Sequence, residues 1–221
     1  RRLSDVGVNG IWVHSVLRMM VEPDEKGFPG DEQAAERVKG LQLLVNRAAK
    51  YGIKIYLYVN EPRALEPEFF ASTEQRKAYG GAIKGDLQAF CPSNTEVLAW
   101  LTRSMNSLFT QVSGLGGVFT ITASENFTTC VSHNYQHKCD NCKDADYEEL
   151  IAGVTAAIEK GVHSAAPDAK VIAWDWGWPE ASCEEIIGRL PKQCWHMSVS
   201  EWAKPIVRGG VESTIGEYSI S

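Results

Sequence analysis

The apolar positions of this chain change period again and again, and the changes mark out elements. Residues 10–17, "GIWVHSVL", and 53–59, "IKIYLYV", are short runs rich in β-branched and aromatic side chains, the pattern of buried strands. Between them Ala34, Val38, Leu41, Val45 and Ala48 recur every three or four residues, which predicts one apolar helix face. Asp31 is placed to cap that helix and Gly52 to close it. Ser93 and Glu96 form a capping-box pair ahead of Val97, Leu101, Met105, Leu108 and Val112, and a strand over 117–123 follows. A helix carrying Tyr147, Leu150, Ile151, Val154 and Ile158 leads to a strand over 170–176. Ser182 and Glu185 then cap a short helix before a strand over 194–200, and "STIGEYSIS" begins one more strand-like run.

Strand and helix in alternation predict parallel strands joined by right-handed crossovers. Two architectures share that pattern, a (β/α)8 TIM barrel and an open doubly wound sheet. No glycine-rich phosphate loop follows any strand, which weakens the nucleotide-binding form of the open sheet. In both folds ligands sit at the carboxyl ends of the strands. No linker or low-complexity break divides the chain, so residues 1–221 read as a single domain. The opening "RRLSDVGVNG" reads as the tail of a helix and "GEYSIS" as the middle of a strand. The expectation is therefore an incomplete barrel, truncated to about strands two to six or seven. A leader that is not visible says nothing of location.

Composition narrows the partners. The chain is 44% hydrophobic, enough for a sizeable core, and lacks an apolar run long enough to span a membrane. Its 22 basic and 28 acidic residues give a net charge of −6, which disfavours nucleic acid. Seven Trp, seven Tyr and seven Phe are a generous supply of rings for stacking on sugars, although the ordinary role of any one ring is core packing.

The strand ends carry the chemistry. They read His14-Ser15, Asn60-Glu61, Ser124-Glu125, Ser200-Glu201 and Gly216-Glu217, with Asp175 inside "AWDWGW". Several carboxylates at the same end of parallel strands would ring one mouth. Thr120, Thr122 and Ser124 share a face opposite Phe119, Ile121 and Ala123; His196, Ser198 and Ser200 repeat the split against Trp195, Met197 and Val199. The polar sets are expected to line a lumen and the apolar sets to pack on helices, so Glu125 and Glu201 need a turn or bulge to point inward. Such a mouth suits glycosidic cleavage, in which one carboxyl protonates the leaving oxygen and a second carboxylate attacks, stabilises or activates water. Glu125, flanked by Ser124 and Asn126, is the candidate acid. Glu201 is the candidate partner, with Glu217, Glu61 and Asp175 behind it. His14, Asn60, Glu61, Arg63, Asn126 and Asp175 are candidate contacts to an oligosaccharide or glycan, and Trp176, Trp178 and Trp202 are candidate stacking platforms. Arg63 could hold Glu61 charged. The plain alternative for these groups is a loop carboxylate, a strand-end ion pair or a hydrogen-bonded core residue.

The phrases "LSDVGVNGIWVH", "YLYVNEPRAL", "GGVFTITASEN" and "WDWGW" resemble the (β/α)8-barrel glycoside hydrolases, in particular a bacterial group distantly similar to β-N-acetylhexosaminidases. The resemblance covers nearly the whole chain and makes residues 10–17 the second barrel strand and 117–123 the fourth. It implies the acid/base role for Glu125 and a glycan containing N-acetylhexosamine. The hexosaminidases place Asp-Glu where this chain has Ser124-Glu125. The large clan of retaining barrel enzymes places Asn-Glu on strand four, whereas here Asn60-Glu61 falls on the apparent third. Retaining, inverting and substrate-assisted routes all stay open.

Five residues past Glu125 begins "CVSHNYQHKCDNC". A Cys-x-x-Cys pair beside a third Cys and a His can wrap one tetrahedral Zn²⁺. The expected ligands are Cys130, His133, Cys139 and Cys142, with His137 the alternative fourth. Three sulfurs would close the site, making the zinc structural. A disulfide and unpaired thiols are the alternatives, and Cys91, Cys183 and Cys194 read as core. Asn126-Phe127-Thr128 is a glycosylation sequon, but a glycan there would obstruct the candidate acid, so it reads as a chance match. Two rival functions remain, a carbohydrate-binding barrel without catalysis and a zinc-dependent hydrolase using the Cys/His loop.

Overall fold

The computed structural model describes residues 2–123, 126–198 and 203–215. In chain order the elements are α1 (Arg2–Asp5), β1 (Gly10–Ser15), α2 (Ala34–Ala49), β2 (Lys54–Val59), α3 (Pro67–Ala71), α4 (Glu74–Tyr79), β3 (Gly80–Lys84) and β4 (Leu87–Phe90). They continue with α5 (Thr95–Gln111), β5 (Gly117–Thr120), α6 (Tyr147–Ala165), β6 (Lys170–Trp174), α7 (Glu180–Arg189), β7 (Cys194–Met197), β8 (Pro205–Arg208) and β9 (Val211–Thr214).

Among the described residues, β1-β2-β5-β6-β7 form one sheet in that order, and every pair is parallel. The order never doubles back, so the sheet has no topological switch point of the doubly wound kind. The helices confirm the distinction by lying on one face. Val38, Leu41 and Val45 of α2 are buried in a single core with Val97, Leu101, Met105 and Leu108 of α5 and Val154, Ile158 and Val162 of α6. Ile55, Leu57, Val59, Val118 and Val171 meet them from the sheet. The chain thus has the architecture of a (β/α)-barrel wall.

The other face carries Tyr58, Phe119 and Ile121, packed with Ile172, Trp174, Trp176 and Met197. This reverses the expected facing of β5 and β7. Phe119 and Ile121 turn away from the helices, while His196 lies near Trp178 and Asp175. β5 is buried at every residue, so its polar and apolar alternation does not report which side is which.

Helix ends differ in detail from the sequence reading. Asp31 is not the cap of α2; its carboxylate accepts from the Gln33 N–H at 2.8 Å and pairs with Arg37 at 2.6 Å. Asn94, not Ser93, caps α5 by accepting from the Glu96 N–H at 2.9 Å. That releases Glu96 to pair with Lys26 at 2.6 Å and Ser93 to lie 3.2 Å from the Cys142 sulfur. Ser182 sits inside α7 and donates to Glu148 at 2.5 Å. The antiparallel hairpin β3–β4, with α3 and α4 ahead of it, went unread between β2 and α5. Its signal is "IKGDL", a two-residue loop opening on glycine. The expected C-terminal strand is instead the antiparallel pair β8–β9, and residues 216–221 of that run lie outside the described residues.

Helices α5 and α6 cross so closely that a Cβ on Gly161 would lie 2.4 Å from the Thr102 carbonyl oxygen and 2.7 Å from the Met105 Cβ. The Thr102 hydroxyl donates across the same contact to the Ala157 carbonyl at 2.9 Å. Alanine is the better helix former by about 1 kcal/mol, but the clash outweighs that gain. Gly161→Ala is expected to lower stability by about 1–3 kcal/mol in urea denaturation.

Candidate functional site at the carboxyl ends of the strands

The strand order brings two groups of sequence-predicted residues to the same end of the sheet, on either side of the segment that follows β5. On one side stand His14, near the end of β1, and Asn60, Glu61 and Arg63, past β2. On the other stand Asp175, Trp176 and Trp178, past β6, with His196 near the end of β7. Glu125, Glu201, Trp202 and Glu217 lie outside the described residues. Asn126 is half-buried.

Glu61 is only 1% exposed. One carboxylate oxygen accepts the Leu17 N–H at 2.7 Å and the other the Arg63 N–H at 2.9 Å. Burial pushes its pKa up, against the pull of those two N–H groups and of the Arg63 and Arg18 guanidiniums. Glu61, expected to contact sugar, therefore acts as a brace tying the turn after β1 to the end of β2. The pull of Arg63 toward the charged form is outweighed by burial, and its guanidinium lies 3.3 Å from the His14 Nε2. His14 is exposed, with its ring 5.8 Å from that of Tyr58. Asn60 is fully buried, and neither atom of its amide has a hydrogen-bond partner among the described residues.

On the far side a cavity of about 470 Å³ is lined by Asp175, Trp176, Gly177, Trp178, Glu180, Cys183 and Ser198. Asp175 faces His196, Oδ2 to Nε2, at 3.1 Å. Trp176 is half-buried and packs against Trp174 with ring centroids 5.1 Å apart. Trp178 is 7% exposed and spends its indole N–H on the Thr122 hydroxyl at 3.4 Å, so it forms the wall rather than an open stacking platform. His196, expected among the residues lining the lumen but not as a site contact, is placed here by the register of β7 on β6.

The cysteine-rich loop closes against the same end of the sheet. The sulfurs of Cys91, Cys130, Cys139 and Cys142 all lie within 4.8 Å of one another, and all four residues are buried. Such a group can bind a metal. Cys91, expected in the core, is the fourth member in place of His133, because the hairpin carries Cys91 onto the loop. His133 instead presents Nδ1 to the Lys84 ammonium at 2.5 Å, and His137 is exposed. Hydrogen bonds from Cys130 hold the Cys139 and Cys142 thiols low, Cys142 at about 7. The Cys130 thiol is pushed up by its contacts with Cys139 and Cys142.

No family model matches this chain, and no curated protein matches it. Solved structures of similar shape include a family 1 β-glucosidase from Thermotoga maritima in complex with isofagomine lactam. That match has 14% identity and a TM-score of 0.46, and covers 78% of this chain and 35% of that one. A cycloalternan-forming enzyme from Listeria monocytogenes with a pentasaccharide substrate gives 12% identity, 78% and 19% coverage, and a TM-score of 0.49. A further β-glucosidase complex from Thermotoga maritima, with galacto-hydroximolactam, gives 13%, 86%, 47% and 0.47. These neighbours are glycoside hydrolases, and the chain spans about a third of the length of the first. At such identities the likeness is one of fold, and the strand order described above carries the fold assignment by itself.

A glutamine at position 61 can accept one of the two N–H groups but turns its own NH₂ toward the other. Glu61→Gln is expected to cost about 1–3 kcal/mol. Because the folded state raises this pKa, Glu61 contributes most below the ordinary 4.5 and loses its contribution as pH climbs through the raised value. Chemical denaturation across that range should show wild type losing stability relative to Glu61→Gln as pH rises.

Proposed function

We propose that the chain is the catalytic part of a glycoside hydrolase, with Glu125 as general acid. The observation that carries this reading is the strand order. It sets the segment leading to Glu125 between the His14–Arg63 group on one side and the aromatic cavity with Asp175 on the other. In this reading Glu125 delivers a proton to the glycosidic oxygen as its bond to the anomeric carbon breaks. Glu201 is the second carboxylate, which attacks or stabilises the oxocarbenium-like carbon or activates the water that finally adds to it. Trp176 and Trp202 stack on sugar faces, while His14, Arg63, Asn126 and Asp175 hydrogen-bond hydroxyls. Asn60, Glu61 and Trp178 hold the walls. The resemblance to β-N-acetylhexosaminidases supports a glycan containing N-acetylhexosamine. The metal in this reading is a structural Zn²⁺ held by the cysteine-rich loop. Four buried thiols offer no open coordination position for a reacting water, which disfavours the zinc-hydrolase alternative.

The test is Glu125→Gln assayed on a panel of chromogenic glycosides, including N-acetylhexosaminides. Turnover is expected to fall by about 10²–10⁴-fold while affinity for the unhydrolysed glycan stays within about twofold of wild type. Unchanged turnover would sink the assignment of Glu125, and glycan binding without turnover in wild type would favour the non-catalytic barrel. Trp176→Ala should weaken glycan binding by about 0.5–1.5 kcal/mol in calorimetry.

A further inference from the structure

We propose that Cys91, Cys130, Cys139 and Cys142 form a tetrathiolate Zn²⁺ site. Its ion ties the insertion between β2 and α5 to the loop between β5 and α6 and so fixes the mouth of the site. The sulfur spacing is the first argument. Cys91 lies 3.5 Å from Cys142 and 3.8 Å from Cys139, sulfur to sulfur. Zinc–thiolate bonds of about 2.3 Å at tetrahedral angles put ligand sulfurs about 3.8 Å apart, whereas a disulfide would bring two of them to about 2.05 Å.

The surroundings of the sulfurs are the second. The Ala82 N–H donates to the Cys130 Sγ at 3.3 Å, and the Ser93 hydroxyl stands 3.2 Å from the Cys142 Sγ. An N–H aimed at sulfur favours thiolate, the form that binds metal, and orients it. The backbone makes room for this approach at Gly81, where a Cβ would lie 2.1 Å from the Cys130 Sγ. Gln136 pins the far side of the loop, donating to the Cys142 and Ala145 carbonyls at 2.8 and 2.6 Å.

The position of the sulfurs is the third. They sit where the insertion meets the loop after β5, in a buried cluster with Ala82, Ala89, Phe127 and Val131. Two backbone hydrogen bonds cross the junction, from the Ala64 N–H to the Phe127 carbonyl at 3.0 Å and from the Phe90 N–H to the Thr128 carbonyl at 3.2 Å. Ala64 follows Arg63 directly, and Phe127 lies two residues past Glu125. Holding the sulfurs together therefore sets the spacing between the His14–Arg63 side of the mouth and the segment that follows β5. The metal site stands independently of glycoside cleavage; its effect on turnover rests on the reading given above.

The experiment uses the whole chain produced with zinc present. Elemental analysis should find one zinc per chain, and X-ray absorption at the zinc edge should show four sulfurs at about 2.3 Å. His133→Ala should keep the full complement, and Cys91→Ser should lose it to a competing chelator. Removing the ion from wild type should speed hydrogen exchange at the Ala64 and Phe90 amides by at least about tenfold. Three sulfurs with one nitrogen, a disulfide, bound iron, or a chain without metal would each overturn the site. Unchanged exchange on chelation would overturn the tie between the loops. Zinc bound as described, in a chain that cleaves no glycoside, would leave this site intact and remove only the proposed function.

Discussion

A parallel strand pair cannot be closed by a tight turn, and that constraint shapes the whole molecule. Each strand must return across a helix, so every strand of the main sheet ends at the same edge. The polar residues that follow the strands are thereby gathered at one rim. The longest return, from β2 to β5, does more than cross over. It carries α3, α4 and the β3–β4 hairpin before α5 completes the crossover, and this extra chain roofs the rim. Leu65, Phe70, Tyr79 and Phe90 seat this extra chain on the main core, and local ties at the rim add to that anchorage.

Those ties explain how polar groups are buried at the rim. Glu61 is taken out of water but meets a backbone N–H on each oxygen and has two guanidiniums nearby. A buried carboxylate partnered in this way fixes the relative position of two loops, because moving either one strands a charge. The four thiols are a second tie of a different kind, holding the hairpin to the loop after β5. Asp175 and His196 join the ends of β6 and β7 on the other flank. The rim is thus clamped on both sides of the segment that leads to Glu125, the arrangement needed if a proton donor there is to be held within reach of a bound saccharide.

The helices and strands were legible because their signals are local. Ala34, Val38, Leu41 and Val45 repeat at the helical period and are the buried face of α2, and the same holds for α5 and α6. Caps were less legible, since Ser93 and Asn94 both satisfy the pattern and only the nearby sulfur of Cys142 shows which is occupied elsewhere. The facing of β5 was misread for a related reason. A strand covered on both sides has no exposed face to calibrate its alternation, so Phe119 and Thr120 were interchangeable from the sequence.

The sequence by itself determined the succession of parallel strands and crossover helices, the gathering of polar residues at the strand ends, and the presence of a thiol-rich loop. Periodicity and spacing along the chain encode all three. The tertiary structure decided which thiols meet, with Cys91 arriving from the hairpin in place of His133, and it turned Glu61 from a candidate sugar ligand into a brace. Both outcomes depend on contacts between segments far apart in the chain, where distance in space is set by strand order and loop packing and leaves no trace in local pattern.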